Sequence, residues 1–156
     1  MIKSNSKTTI ATKIIFYASL LSIVLFFLTP IFFINRLQDG VEVVWGFDAI
    51  LGLKATYDFN WYIYIACLVF LIMGVTTYYI GPKSKGYYIF SALVYVVLAV
   101  ICFNSISWFI NGSMHFDNGS FIKNNTFLGI GPWFGGLASI VSVIACIVDF
   151  RTFKLR

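Results

Sequence analysis

Four long apolar runs set the plan of this chain. Ile14–Ile34, Trp61–Ile80 and Tyr87–Phe103 pass without a charged residue, and Leu128–Phe150 holds only Asp149. A helix needs about 20 mostly apolar residues to cross the hydrocarbon core of a bilayer. The pattern predicts an all-α transmembrane fold, a four-helix antiparallel membrane bundle in one membrane domain covering 1–156. Its spans fall at about 14–34, 61–80, 87–110 and 127–150, the third drawn past Asn104 as a helix projecting above the membrane. Pro30 kinks or terminates the first span, because a proline interrupts the helical hydrogen-bond ladder. Pro132 sits in the first turn of the fourth, where a missing N–H costs little.

The connecting segments carry a different period. In the loop 35–60, Val41, Val43, Trp45 and Phe47 alternate with Glu42, Val44, Gly46 and Asp48. After a link at 49–52 the alternation resumes through Leu53, Ala55, Tyr57 and Phe59. A period of two argues for strands, and a short link containing glycine suits a hairpin. The rival reading is a short interfacial helix over 44–53. In the loop 111–126, Asn118-Gly119 lies between two mixed apolar stretches, and Asn-Gly is a strong hairpin signal because both residues tolerate positive φ. The expectation is a small extracytoplasmic β-hairpin or sheet built from both loops. Gly81 to Gly86 is a tight turn that makes the second and third spans antiparallel neighbours. Trp61, Tyr62 and Tyr64 at one end of the second span, and Tyr78 and Tyr79 at the other, form an aromatic belt.

The fourth run has a further pattern. Gly131, Gly135, Ser139, Ser142 and Cys146 follow one another at three- or four-residue steps. Small residues on one helix face allow close approach of a neighbouring helix. The stripe is assigned to packing within the bundle, near the first and third spans, with a homo-oligomer contact as the alternative.

Composition agrees with the pattern. The chain is 60% apolar and 11% charged, whereas soluble domains average roughly 45–50% and about 25%. A net charge of +5 often signals nucleic acid or anionic lipid, but here the charges are sorted by segment. Lys3, Lys7, Lys13, Lys83, Lys85, Arg151, Lys154 and Arg156 lie in the tail, the short turn and the C-terminus, against Arg36, Lys54 and Lys123 in the longer loops. The positive-inside rule places both termini in the cytoplasm and loops 35–60 and 111–126 outside the cell membrane. Membrane lipid is therefore a partner and nucleic acid is not. The basic start followed by an apolar core resembles a signal peptide, but the run is too long and lacks a small-x-small cleavage site, so an uncleaved first helix is expected.

Candidate chemistry is sparse. Asp149 is the single ionisable residue within a span and is expected to pair with basic residues such as Arg151 at the interface. Asn104 is expected to cap a helix or bond between helices. His115 and Asp117 supply too few ligands for a closed zinc site, so no metal and no cofactor is assigned. Cys67, Cys102 and Cys146 form no CxxC pair and read as buried small hydrophobes. Asn111, Asn118 and Asn124 match the glycosylation acceptor pattern, but a chain so rich in Ile, Asn, Lys and Phe reads as bacterial, with the sites unused. No nucleophile–base pair is visible, so no enzyme is expected.

The four spans, the inside termini and the larger first outer loop with strand character resemble the tetraspan arrangement of claudin-like proteins. Trp45-Gly46-Phe47 and Leu51-Gly52-Leu53 are similar to the Trp…Gly-Leu-Trp segment of their first loop, although the two loop cysteines of that signature are missing. The likeness implies architecture and not junction or channel function. The chain also resembles small four-span proteins of Gram-positive bacteria that pair a Gly-Phe-Asp-x-x-x-Gly loop (Gly46 to Gly52) with a last span opening on Gly-x-Gly-x-Trp (Gly129 to Trp133). That likeness brings no activity. The expected role is a non-enzymatic accessory subunit that binds another membrane or secreted protein through Val43, Trp45, Phe47, Asp48, Phe116 and Phe121. Immunity against a membrane-active toxin or bacteriocin, and a small channel or lipid transporter, are the alternatives. A channel would need a polar seam, for which Asn104, Ser105, Ser107, Thr76, Thr77, Ser139 and Ser142 are the candidates.

Overall fold

The computed structural model describes residues 9–36, 40–51, 61–81, 84–107 and 126–153. In chain order these form α1 (Ile10–Leu28), β1 (Pro30–Arg36), β2 (Gly40–Trp45), α2 (Gly46–Leu51), α3 (Trp61–Ile80), α4 (Lys85–Phe103), β3 (Thr126–Leu128) and α5 (Ile130–Thr152). Four of them, α1, α3, α4 and α5, are long and apolar enough to cross a membrane. Leu, Ile, Val and aromatic side chains stand exposed along all four. Apolar surface on this scale is not tolerated in water by a soluble monomer.

The first span begins and ends earlier than the 14–34 expected from hydropathy. Thr9 caps α1 by accepting the Thr12 N–H at 3.1 Å, which lets the helix start at Ile10. Its end is set by Pro30. The residue before a proline is pushed to extended geometry, and Thr29 has φ −119° and ψ 163°. The chain leaves the helix there, and Ile31–Ile34, apolar enough to pass for helix, become strand. β-Branched and aromatic residues suit a strand, and Pro30 stands at its first position, where it costs least.

β1 is the central strand of a three-stranded antiparallel sheet of order β2-β1-β3. Gly40 opens β2 with φ +81°, a left-handed conformation that an L side chain rarely adopts. The expected pairing of 41–48 with 53–59 is thus corrected in its first half. Residues 40–45 pair with 30–36, and 46–51 form the short helix of the rival reading, while 53–59 lie outside the described residues. The alternation stops at Trp45, because Gly46, Asp48, Ala49 and Ile50 are all buried. The Asn118-Gly119 hairpin lies outside the described residues as well. The fourth span starts later than expected, since 126–128 are strand and the helix begins at Ile130. The third helix stops at Phe103, where Asn104 caps it through its N–H and side-chain Nδ2, both on the Val100 carbonyl. Helical residues resume at 105–107.

α5 packs against both α4 and α1, and α1 packs against α3. The core runs from Ile15, Phe70, Tyr95 and Cys146 among the helices to Ile31, Phe32, Val44 and Ile50 beneath the sheet.

Candidate functional site

The strand register defines the faces of the sheet. Phe33 lies opposite Val43 on one side and opposite Phe127 on the other, so these three side chains form one row across all three strands. Antiparallel partners share a face, and residues two apart on a strand share it too. Val41 and Trp45 therefore extend the row along β2, and Asn35 lies beside Val41. Phe127 is 61% exposed, Val41 62% and Trp45 40%. Phe32, Ile34, Val44 and Thr126 occupy the opposite face and are buried. The sheet thus has one face turned to the core, which also carries the half-buried Glu42 opposite Ile34, and a second, largely apolar face turned outward.

Two glycines fix this sheet to the helices. At Gly46 a Cβ would stand 1.6 Å from the Phe26 carbonyl oxygen of α1, and its N–H donates to Thr29 O at 3.1 Å. At Gly129 a Cβ would stand 2.2 Å from Pro30 O, and its N–H donates to Ile31 O at 2.7 Å. Both are backbone-on-backbone contacts that only glycine permits.

Of the residues expected to meet a partner, Val43 and Trp45 lie on the outward face and Phe47 is exposed on α2. Asp48 turns inward and is buried, in the first turn of α2, where a carboxylate suits the positive end of the helix dipole. Phe116 and Phe121 lie outside the described residues. Phe33 and Phe127 escaped sequence reasoning because both were counted into spans. Pro30 and Gly129, which end those helices, were the available signals.

The small-residue stripe is a second organising feature. Gly131, Gly135, Ser139, Ser142 and Cys146 are all buried. A Cβ on Gly135 would meet the Phe26 ring at 2.5 Å and Cys102 Sγ at 3.2 Å, so α5 is wedged between α1 and α4.

No family model, curated protein or solved structure matches this chain.

The stripe continues one step further, to Asp149. That residue is 5% exposed and accepts a hydrogen bond from the Thr9 hydroxyl. Tyr88 interacts with the same carboxylate. The expected pairing with Arg151 is corrected. Arg151 lies two residues on, about 200° round the helix, and is exposed. Thr9 therefore does two jobs: it caps α1 and it ties α1 to the last turns of α5. Lys85 lies 4.5 Å from the centroid of the Phe150 ring and Tyr88 packs on Phe153, which ties α4 to the same end. Thr9→Val is expected to cost about 2–3 kcal/mol, from a lost cap and a buried carboxylate deprived of its donor. Thr9→Ser should retain most of that stability. Denaturant unfolding in mild detergent measures both.

Most of the other polar residues are spent on local or pairwise bonds, and the buried Ser105 hydroxyl is not. Ser19 and Tyr95 share a 2.7 Å hydrogen bond, and Thr77 and Ser91 share one of 3.1 Å. Ser139 and Ser142 donate to the carbonyls of Gly135 and Ala138, and Thr76 to that of Ile72. Asn104 is exposed and bonds within its own helix. Ser105 is buried and Ser107 half-buried at the sheet-proximal end. Cys67, Cys102 and Cys146 are buried and unlinked. Among the described residues no group of three His, Cys, Asp or Glu converges, and His115 lies outside them.

Proposed function

We propose that this chain is a non-enzymatic membrane subunit that holds another membrane or secreted protein on the outward face of its sheet. One observation carries the reading: Val43, Phe33 and Phe127 form an apolar row on a sheet fixed to the helices, and Val41 and Trp45 extend it. In this reading the long helices form an antiparallel bundle in the cell membrane. The basic tail, turn and C-terminus stay in the cytoplasm and the sheet stands outside. The four long apolar helices support a tetraspan arrangement and carry over no activity.

The physics of such a face favours docking. Apolar surface gains about 25 cal/mol per Å² when removed from water. Interfaces concentrate their energy in a few buried aromatic anchors, and Trp45 and Phe127 supply two here. Because the sheet is held by backbone contacts, little ordering cost remains to be met on association. β2 is an edge strand among the described residues, so a partner strand could add to it.

Gentle isolation from the native membrane is expected to yield a defined hetero-complex. Trp45→Ala and Phe127→Ala should each weaken it by about 2 kcal/mol, roughly thirtyfold in Kd. Both side chains are exposed, so helix content and unfolding midpoint should not change. A chain that isolates alone, or a complex that survives both substitutions, contradicts the proposal.

A further inference from the structure

The basic residues gather at the end of the molecule away from the sheet. There the Thr9 hydroxyl bonds Asp149, which brings the start of α1 to the last turns of α5, and Lys85 lies over the Phe150 ring, which brings the start of α4 to the same place. Lys13, Lys85 and Arg151 thus stand on three helices at one end, and all three are exposed. Lys3, Lys7, Lys83, Lys154 and Arg156 adjoin these helix ends in sequence. By sequence position one acid belongs to this end, Asp149, and it is buried and turned to the Thr9 and Tyr88 hydroxyls. Glu42 and Asp48 lie in β2 and α2, and Asp39, Asp58 and Asp117 fall in the segments that adjoin the other end in sequence. Eight basic residues and one acid leave a formal +7 here, and three basic residues and five acids leave −2 on the rest of the chain.

We propose that this basic end binds the headgroups of anionic phospholipids such as phosphatidylglycerol. The inference rests on the membrane placement proposed above and is independent of any partner on the sheet. Charge complementarity selects a negative partner. An anionic membrane surface attracts each nearby Lys or Arg by about fivefold in binding, and with Asp149 buried no exposed acid among the described residues of this end offsets the attraction. The neighbouring surface selects a lipid over nucleic acid or a soluble anion. Ile10 and Ile14 of α1, Ile89 of α4, and Ile147 and Val148 of α5 are exposed within four residues of the three charges, so the ligand that fits offers negative charge and apolar chains side by side. Tyr79, exposed near the turn into α4, marks the same level as a membrane–water interface. The charges that orient the helices during insertion afterwards stand at the depth of the headgroups, where long basic side chains lay their stems on apolar surface and present their charge to the interface.

Spin-labelled lipids test this on the full chain reconstituted in phosphatidylcholine vesicles. Electron spin resonance should show that the wild type prefers labelled phosphatidylglycerol to labelled phosphatidylcholine by about fivefold or more, and raised salt should weaken the preference. Combined Lys13→Gln, Lys85→Gln and Arg151→Gln should lower the ratio about threefold or more, with unchanged helix content because all three side chains are exposed. Combined Lys13→Arg and Lys85→Arg keeps the charge and should keep the ratio, as should Arg36→Gln at the end of β1. Equal selection of the two lipids by the wild type, an unchanged ratio in the triple variant, or a preference abolished by inorganic phosphate at constant ionic strength would overturn the inference. A chain that does not float with the vesicles overturns both proposals, and one that floats without lipid preference overturns this one alone.

Discussion

Gly46→Ala is expected to abolish stable folding. The added methyl would stand 1.6 Å from the Phe26 carbonyl oxygen and 2.6 Å from its carbon. Neither atom can retreat. Phe26 lies in the last turns of α1, its ring is buried between Phe70 and the Gly135 position, and the Gly46 N–H is bonded to Thr29 O one turn on. Relief requires lifting the end of β2 and the start of α2 off α1, which exposes Ala49, Ile50 and Val44. Overpacking against side chains costs about 1–3 kcal/mol. Against backbone, with the burial of α2 lost as well, the cost should exceed about 3 kcal/mol, in the range of the severe single substitutions. Gly86→Ala is the matched control. Gly86 is the second residue of α4 with open space around it, and alanine there should leave stability within about 0.5 kcal/mol of wild type. Denaturant unfolding of all three proteins, with yield in the membrane fraction, measures the contrast. Wild-type stability in Gly46→Ala would show that the sheet is not seated on α1.

Gly129→Ala should act at the other anchor with a different signature. Its methyl would stand 2.2 Å from Pro30 O and 2.6 Å from Ile31 C and O. The 2.7 Å bond from Gly129 N–H to Ile31 O would open, freeing β3 from β1 and breaking the row at Phe127. A loss of about 2–4 kcal/mol is expected, along with loss of partner binding. Opposed antiparallel residues have Cβ atoms about 4.5–5.5 Å apart. Cysteines placed at Phe33 and Phe127 should therefore be bridged by a short thiol crosslinker in the wild-type background and not in Gly129→Ala. Efficient crosslinking in the variant would place the anchor elsewhere.

Much of the helical layout was legible from the residues alone. α3 follows its apolar run from Trp61 to Ile80. The stripe on α5 could be read because small residues at helical spacing have few other uses. What hydropathy could not resolve were the places where apolar sequence changes its secondary structure. Ile31–Ile34 and Phe127–Leu128 are as hydrophobic as the spans beside them, and a strand buried on one face scores like helix. Only Pro30 and Gly129 mark the boundaries. The pairing of β1 with β2 and β3 is long-range in the second case, so no local period reports it. Trp45-Gly46 read as continued alternation, since nothing in the local pattern says that Gly46 must accommodate the carbonyl of Phe26. Asp149 shows a different limit: its neighbour in sequence, Arg151, suggests a pair, but residues two apart on a helix do not face each other. The three- and four-residue steps from Gly131 to Cys146, carried one step further, point Asp149 at the interior and at Thr9.

The central claim is that the outward sheet face is where this protein meets its partner. Photo-crosslinking in the native cell tests it most directly, with benzoylphenylalanine placed in turn at Val41, Trp45 and Phe127, and at Val44 and Leu71 as inward and exposed-helix controls. The account predicts one protein adduct of the same mass from the three outward positions, none from the controls, and its loss when Val43→Asp is added. No adduct from the sheet, or an adduct from Leu71 alone, would contradict it.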